Sequence, residues 1–267
     1  MAEQDITERN ISERAYYLYC LTPSGRALEL NEAGVFVWAC DGICAVLSES
    51  NREEFCGEGS EARLEDLAWL APRVFRHEAV VERIMGQSPV LPARFATLFS
   101  SLESLRSFVL EYHDAITGFF AQVGDKREWA VKGLLDRPLV GQSAQPPRPQ
   151  LADTPGKNYL QKKRMEAEAG ELTNQWVRAV CQKAAGELEQ QASAFRERQL
   201  WNGSDSNEPA EVILNWAFLV PGDGEADFRR LVTELDERHR AGGLSFALSG
   251  PWPPYSFAPA LGGEKTA

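Results

Sequence analysis

The chain is poor in the side chains that most catalytic and metal centres need. It has only three histidines, His77, His113 and His239, among 267 residues. The stretch "HEAVVE" (His77–Glu82) begins like a helical zinc site, but the second histidine of that spacing would fall at Val81. The histidines therefore read as core or surface side chains, and no metal is expected. Five cysteines, an odd number at irregular spacing, exclude a regular disulfide framework and fit a reducing cytosol. Cys40 and Cys44, with three residues between them, flank a turn and read as two small buried hydrophobes. No G-x-G-x-x-G follows a strand and no G-x-S-x-G elbow occurs. "TPGKNY" contains Gly156-Lys157, but Leu151 and Asn158 break the phosphate-loop pattern. Glu128 and Lys132, on one strand, read as a solvated edge rather than an acid–base pair. No catalytic residue and no cofactor is expected.

Positive charge is also short. Lysine and arginine total 28 against 39 acidic residues, a net charge of −11. That balance argues against nucleic acid and against anionic membrane surfaces as partners. Long apolar runs are missing too. The longest, "VILNWAFLV", contains Asn215 and falls well short of the roughly 20 residues of a membrane helix. The opening "MAEQDITERN" is acidic and polar, so no signal peptide is expected and the protein reads as cytosolic.

What is present is an ordinary soluble composition, 43% hydrophobic and 25% charged, at a length that suits about two domains. "AYYLYCL" (Ala15–Leu21) is rich in β-formers. "VFVWACDGICAVLS" sets Asp41-Gly42 between two apolar runs, a strong hairpin signal. Both faces of these strands are apolar, which predicts a sheet covered by helices. Ser60 to Leu70 reads as a short helix, and Pro72 suits the first turn of a second one running to Gly86. "SPVLPARFATLF" (Ser88–Phe99) reads as extended edge. Ser100 and Glu103 then predict a capping box for one helix, striped by Leu102, Leu105, Val109, Tyr112, Ile116, Phe119 and Val123 and ended by Gly124.

A second domain is expected from residue 125, with 1–124 as the first. Arg127–Leu135 alternates as a strand does. Arg137–Pro155 holds five of the fifteen prolines and predicts a mobile loop. The longest helical pattern follows, through Met165, Ala169, Leu172, Trp176, Val180, Ala184, Leu188, Ala192 and Phe195, with breaks allowed at Gly170 or Gly186. "EVILNWAFLVP" is a strand, "EADFRRLVTELDERHR" a helix and "GGLSFALSG" a strand. With a weak strand near "RQLWN", the order is that of a ferredoxin-like α+β fold with a long extra helical region.

The tail "LSGPWPPYSF" (Leu248–Phe257) is stiff and aromatic. Proline fixes φ and removes a donor, so Pro251, Pro253 and Pro254 predict extended backbone presenting Trp252, Tyr255 and Phe257 in fixed directions. Two uses fit it: a ligand offered outward through its PxxP spacing, or a clamp folded back on the protein.

Taken in order, "AYYLYCL", "RHEAVVERI", "PVLPARFATLF", "EWAVKG", "GKNYLQKKR", "NWAFLV" and "LSGPWPPYSF" resemble the gas vesicle protein F/L family from about Tyr16 to Phe257. One departure is Ala96, where typical members carry glycine after "RF". The resemblance implies a non-enzymatic accessory or minor structural protein of gas vesicles in the cytoplasm. It implies partners in the hydrophobic shell subunit and other gas vesicle accessory proteins. It also implies two α+β domains with residues 250–267 packed between them as a clamp (Pro251, Trp252, Pro253, Pro254, Tyr255, Phe257). For the partner itself, Leu172, Trp176 and Val180 on the long helix are the first surface to consider, with core packing as the competing role for that stripe. Ferredoxin-like domains also build small-ligand-binding and enzymatic α+β barrels, so that alternative stays open.

Overall fold

A computed structural model describes residues 14–56, 59–143, 155–200 and 210–262. By their contacts the residues fall into two compact units, Met1–Asp125 with Trp252–Ala267, and Lys126–Pro251. The chain thus enters the second unit once and returns to the first once.

The first unit is built on strands β1 (Arg14–Pro23), β2 (Val35–Cys40) and β3 (Ile43–Asn51). Cys40 pairs with Ile43 across the Asp41-Gly42 turn. Asp41 and Gly42 have φ of 47° and 82°, the left-handed pair that a two-residue hairpin turn requires. Short strands β4 (Leu91–Pro92) and β5 (Leu98–Phe99) complete the sheet, whose order is β2-β3-β1-β4 with β5 also on β1. Proline at β4 is tolerated because the strand lies at an edge. The same unit holds helices α1 (Arg52–Cys56), α2 (Ser60–Glu65), α3 (Leu67–Met85), α4 (Leu102–Glu111) and α5 (His113–Val123). Both α3 and α5 contact β1, and Val80, Val81 and Ile84 of α3 bury against Tyr17, Tyr19, Val35 and Val46.

Two boundaries differ from those expected. Helix α3 starts at Leu67, not at Pro72, because the Asp66 carboxylate accepts from the Ala68 amide and caps it there; Pro72 is carried inside the helix. The capping box forms one residue later than predicted. Ser101 accepts from the Ser104 amide, and the Ser104 hydroxyl accepts from the Ser101 amide. The single predicted helix is two, parted at Tyr112 (φ −105°, ψ 14°). Gly124, at φ 39°, ends the second as expected.

Ala96 sits at φ 64°, a conformation that costs an L-residue about 1–2 kcal/mol and glycine almost nothing. Its amide donates to the Tyr17 hydroxyl at 3.2 Å, so the turn is held in place. Ala96→Gly is expected to stabilise the protein by about 0.5–1 kcal/mol, after the added freedom of glycine in the unfolded chain is subtracted. Calorimetry should show the melting temperature rising by about 2 °C; a fall would mean that the alanine methyl group is packed rather than strained.

The second unit holds β6 (Lys126–Leu135), α6 (Arg137–Ser143), α7 (Pro155–Glu189), β7 (Ala194–Glu197), β8 (Glu211–Pro221), α8 (Glu225–Arg240) and β9 (Leu244–Trp252). The sheet order is β7-β8-β6-β9, and β8 runs antiparallel to both β6 and β7. Phe218, Phe228, Val232, Leu235, Leu188 and Ala184 fill the core between sheet and helices. The weak strand lies at Ala194–Glu197, just before its predicted place. Helix α7 runs unbroken through Gly170 and Gly186 but ends at Glu189, short of the expected Phe195, which pairs with Phe218 of β8 as part of β7 instead. Helix α6 stands where a loop was expected: the Asp136 carboxylate accepts from the Leu139 amide, and proline in the first turn suits a helix start. The rest of that expected loop, 144–154, lies outside the described residues. Gly243, at φ 88°, lets the chain pass Val140 where a side chain would collide, and its carbonyl accepts from the Asp136 amide at 2.8 Å.

Glu128 overturns its reading as a solvated edge. It lies on a central strand, is fully buried, and pairs with Arg198, just beyond β7. Central position in the sheet, which alternation alone does not reveal, is the reason.

Candidate functional site

The tail residues of the first unit come together on α3. Pro253, Pro254 and Phe257 are buried and Tyr255 is half-buried. A single 3-10 turn, Tyr255–Phe257, follows the prolines. The Tyr255 hydroxyl donates to Glu78 Oε1 at 2.9 Å and lies 3.2 Å from His77 Nε2. Further along, the Gly262 amide bonds the Tyr112 hydroxyl. Pro251 and Trp252, by contrast, are exposed, Trp252 by 40%. A buried Trp252 was the expectation; the prolines that follow it, not the indole, are what pack.

His77 is the centre of this network and is 1% exposed. The Tyr17 hydroxyl lies 2.8 Å from its Nδ1 and the Ala93 carbonyl 3.1 Å from its Nε2. One proton arrangement satisfies every group. The Ala96 amide donates to Tyr17, Tyr17 donates to Nδ1, Nε2–H donates to Ala93, and Tyr255 donates to Glu78. That assignment needs a neutral imidazole. Burial pushes His77 down to about 4, partly offset by the bond to Ala93. Burial raises the Tyr17 and Tyr255 hydroxyls and the Glu78 carboxyl, the last opposed by its bond from Tyr255.

The folded-state value of His77 lies below its ordinary 6.5, so the unfolded chain binds the proton first as pH falls. Its contribution is complete above pH 6.5, is lost progressively towards pH 4 and is constant below. The loss should reach about 3 kcal/mol, with the raised Glu78 opposing it in part. Urea unfolding of wild type and His77→Gln between pH 7 and pH 4 checks this. The wild type should lose stability more steeply, and parallel curves would refute the assignment.

A cleft of about 590 Å³ opens on the same unit, lined by Tyr17, Tyr19, Phe55, Arg73, Arg76 and Phe95 among others. It has the size of a small-molecule site. Its Arg73 and Arg76 are engaged, however. Arg73 stacks on Trp69 and pairs with Glu54 at 2.6 Å, and Arg76 pairs with Glu32 at 3.1 Å. His77 lies against Tyr17, ring centres 5.6 Å apart, with both nitrogens bonded. The exposed Glu49 also lines this cleft. Cys40 and Cys44 are buried as read, and burial raises both thiols. Among the described residues no group of three or more His, Cys, Asp or Glu is placed to hold a metal ion. Among them, too, no helix is long and apolar enough to cross a membrane.

In the second unit, α7 outruns its sheet. Its 35 residues span about 52 Å, against about 36 Å for the 11 residues of β8. The residues of the predicted stripe have different surroundings. Trp176 and Val180 pack against the core, Trp176 so closely that its ring lies 3.3 Å from where a side chain on Gly242 would begin. Leu172, one turn earlier, is 66% exposed. A groove of about 270 Å³ runs beside this helix, lined by Val177, Cys181, Leu200, Ile213 and Trp216 among others. Core packing thus takes two of the three candidate partner residues, and Leu172 alone stands on an open face. The groove, built by non-consecutive segments, had no signal in the sequence.

The same architecture occurs in solved structures. The crystal structure of gas vesicle protein GvpF from Anabaena sp. PCC7120 superposes with a TM-score of 0.70 at 20% identity, covering 92% of this chain and 97% of that one. GvpF from Microcystis aeruginosa gives 0.66 at 21% identity, covering 92% and 99%. These are likenesses of fold. In sequence, the chain is 29% identical to gas vesicle protein L of a Streptomyces strain over 197 residues, 74% of this chain and 73% of that protein. It is 26% identical to gas vesicle protein F of Dolichospermum flosaquae over 211 residues, 77% and 84%. The family model described as gas vesicle synthesis protein GvpL/GvpF matches residues 15–259. Across nearly its whole length, then, this chain belongs to the GvpL/GvpF family of gas vesicle proteins.

Proposed function

We propose that this protein is a non-enzymatic accessory or minor structural protein of gas vesicles, acting in the cytoplasm and at the vesicle. It binds the hydrophobic shell subunit, and other gas vesicle accessory proteins, during assembly. The observation that carries this reading is the family match over residues 15–259. A physical need supports it. A shell that keeps out liquid water needs subunits with a strongly apolar face, and such faces aggregate unless covered. A carrier with net charge −11 keeps the complex soluble. The exposed Leu172 and the groove beside α7 offer an apolar contact surface of the required kind.

Two structural readings accompany the proposal. The order strand, helix, strand, strand, helix, strand with sheet order β7-β8-β6-β9 supports a modified ferredoxin-like domain, extended by α6 and the overhang of α7. The tail is read as a clamp between the domains. Its support is that the chain, having completed β9, rejoins the first unit at Trp252 and is fixed there through Tyr255 and Phe257.

The test is co-expression of the shell subunit alone and with this protein, followed by sedimentation in low and high salt. The subunit should pellet alone and stay soluble with the carrier, by a margin of about tenfold, and Leu172→Glu should return it to the pellet. Equal pelleting with and without the carrier would end the proposal. A complex lost only in high salt would mean that charge, not the apolar surface, makes the contact.

A further inference from the structure

Strand β2 is an edge strand without the devices that normally protect one. It stands at the end of the order β2-β3-β1-β4, and among the described residues no strand pairs with its outer side. Edge strands are usually blunted by charge, proline or a bulge. The sequence "VFVWAC" has no charge and no proline, and its pairing with β3 runs from Val35 to Cys40 without a register shift. Val37 is 37% exposed, Ala39 is exposed, and Phe36 and Trp38 are half-buried.

The hairpin fixes which amides face out. In a two-residue turn, the flanking residues Cys40 and Ile43 form a hydrogen-bonded pair, and bonding alternates from there. Cys40, Trp38 and Phe36 therefore point their amides and carbonyls at β3, and Val35, Val37 and Ala39 point theirs outward. The Val35 amide is used by the Glu32 carbonyl at 3.3 Å. The amides of Val37 and Ala39 and the carbonyls of Val35, Val37 and Ala39 remain to be met.

We propose that β2 pairs with the β2 of a second copy of this chain, antiparallel about a two-fold axis at Val37, joining two sheets into one. Only registers that place outward residues opposite outward residues are possible, and the one centred on the three outward residues sets Val37 opposite its own copy. Val35 then faces Ala39, and Phe36 faces Trp38 on the other side of the sheet, an aromatic cross-strand pair. Four amide–carbonyl bonds close, the Val37 amide to the Val37 carbonyl and the Ala39 amide to the Val35 carbonyl, each twice. Beyond the strand, Asp41 meets Ala33 and Glu32 meets Gly42, so no carboxylate faces another. The self-complementarity is what selects a second copy as occupant. A net charge of −11 on each chain opposes the encounter everywhere except at this uncharged seam.

Sedimentation velocity across a dilution series tests this. The full chain should show a monomer–dimer equilibrium that tightens by roughly two- to tenfold between about 50 and 500 mM salt, since screening removes the repulsion between the two bodies. Val37→Lys should weaken the dimer at least tenfold, because two ammonium groups meet on the axis, and Val37→Glu should do the same. Mixing the two variants should restore a heterodimer. Should either variant lose its circular dichroism, Ala39→Lys, at a second exposed position, replaces it. A wild type that stays monomeric at every concentration and salt overturns the proposal. So does a dimer that Val37→Lys leaves intact, which would locate the contact on another surface.

Discussion

Replacing Phe257 by alanine is expected to destabilise the protein by about 3–5 kcal/mol, the usual range for a large aromatic removed from a packed site. Phe257 is 3% exposed, ten residues from the end of the chain, and sits behind two buried prolines that hold its backbone. The first-unit surface cannot close over the gap without moving that rigid segment, so most of the cavity cost should persist. Phe257→Leu, which keeps most of the volume, should cost about 1–2 kcal/mol. Trp252→Ala is the informative contrast. The indole is larger, yet its 40% exposure limits the expected cost to under about 1 kcal/mol. Urea unfolding of the three variants ranks them, and a Trp252→Ala loss equal to that of Phe257→Ala would contradict the burial seen here. If Trp252→Ala instead leaves stability alone and abolishes capture of the shell subunit, the exposed part of the tail is a ligand for a partner.

Arg198→Met should be of comparable size, about 3–5 kcal/mol, for a different reason. Glu128 is fully buried on the central strand β6, and Arg198 is its cationic partner, with about 29% of its own side chain exposed. Removing the arginine leaves a carboxylate in a site that no longer compensates its lost hydration. The double variant Glu128→Leu with Arg198→Met removes both charges and should recover most of the loss, since hydrophobic replacement of a buried pair is often neutral or better. A double variant no more stable than Arg198→Met would show that Glu128 has a further structural role. Circular dichroism melts of the two single variants and the double variant form the cycle that separates these outcomes.

Several elements were legible because their signals are local. Asp41-Gly42 needs only its own backbone preference to turn the chain, and the hairpin forms as read. The helix Glu225–Arg240 and the strand Glu211–Pro221 carry their period in their own residues and appear with the expected ends. Local signals also compete, and there the sequence was ambiguous. Ser100 and Ser101 are both plausible caps, and only the extended backbone of Ser101 (φ −158°, ψ 163°) selects it. The continuous stripe from Leu102 to Val123 did not announce the break at Tyr112, because each half keeps the same buried face: Leu105 and Val109, then Ile116 and Phe119.

The sequence by itself determined the architecture, α+β with a long helix before the last three strands, the acidic surface and, through its ordered motifs, the family. Those properties depend on residue type and spacing along the chain. Burial of individual polar groups was decided only by tertiary structure. His77 and Glu128 are both ionisable residues in apolar stretches, and nothing adjacent distinguishes them from surface groups. Their partners come from far along the chain, Tyr17 and Tyr255 for the one and Arg198 for the other. The fate of Leu172, Trp176 and Val180 was equally out of reach, since Trp176 meets Gly242 from far along the chain while Leu172, one turn earlier, stays exposed. Which residue of a regular stripe is covered depends on where the neighbouring elements lie, and that is a property of the assembled fold.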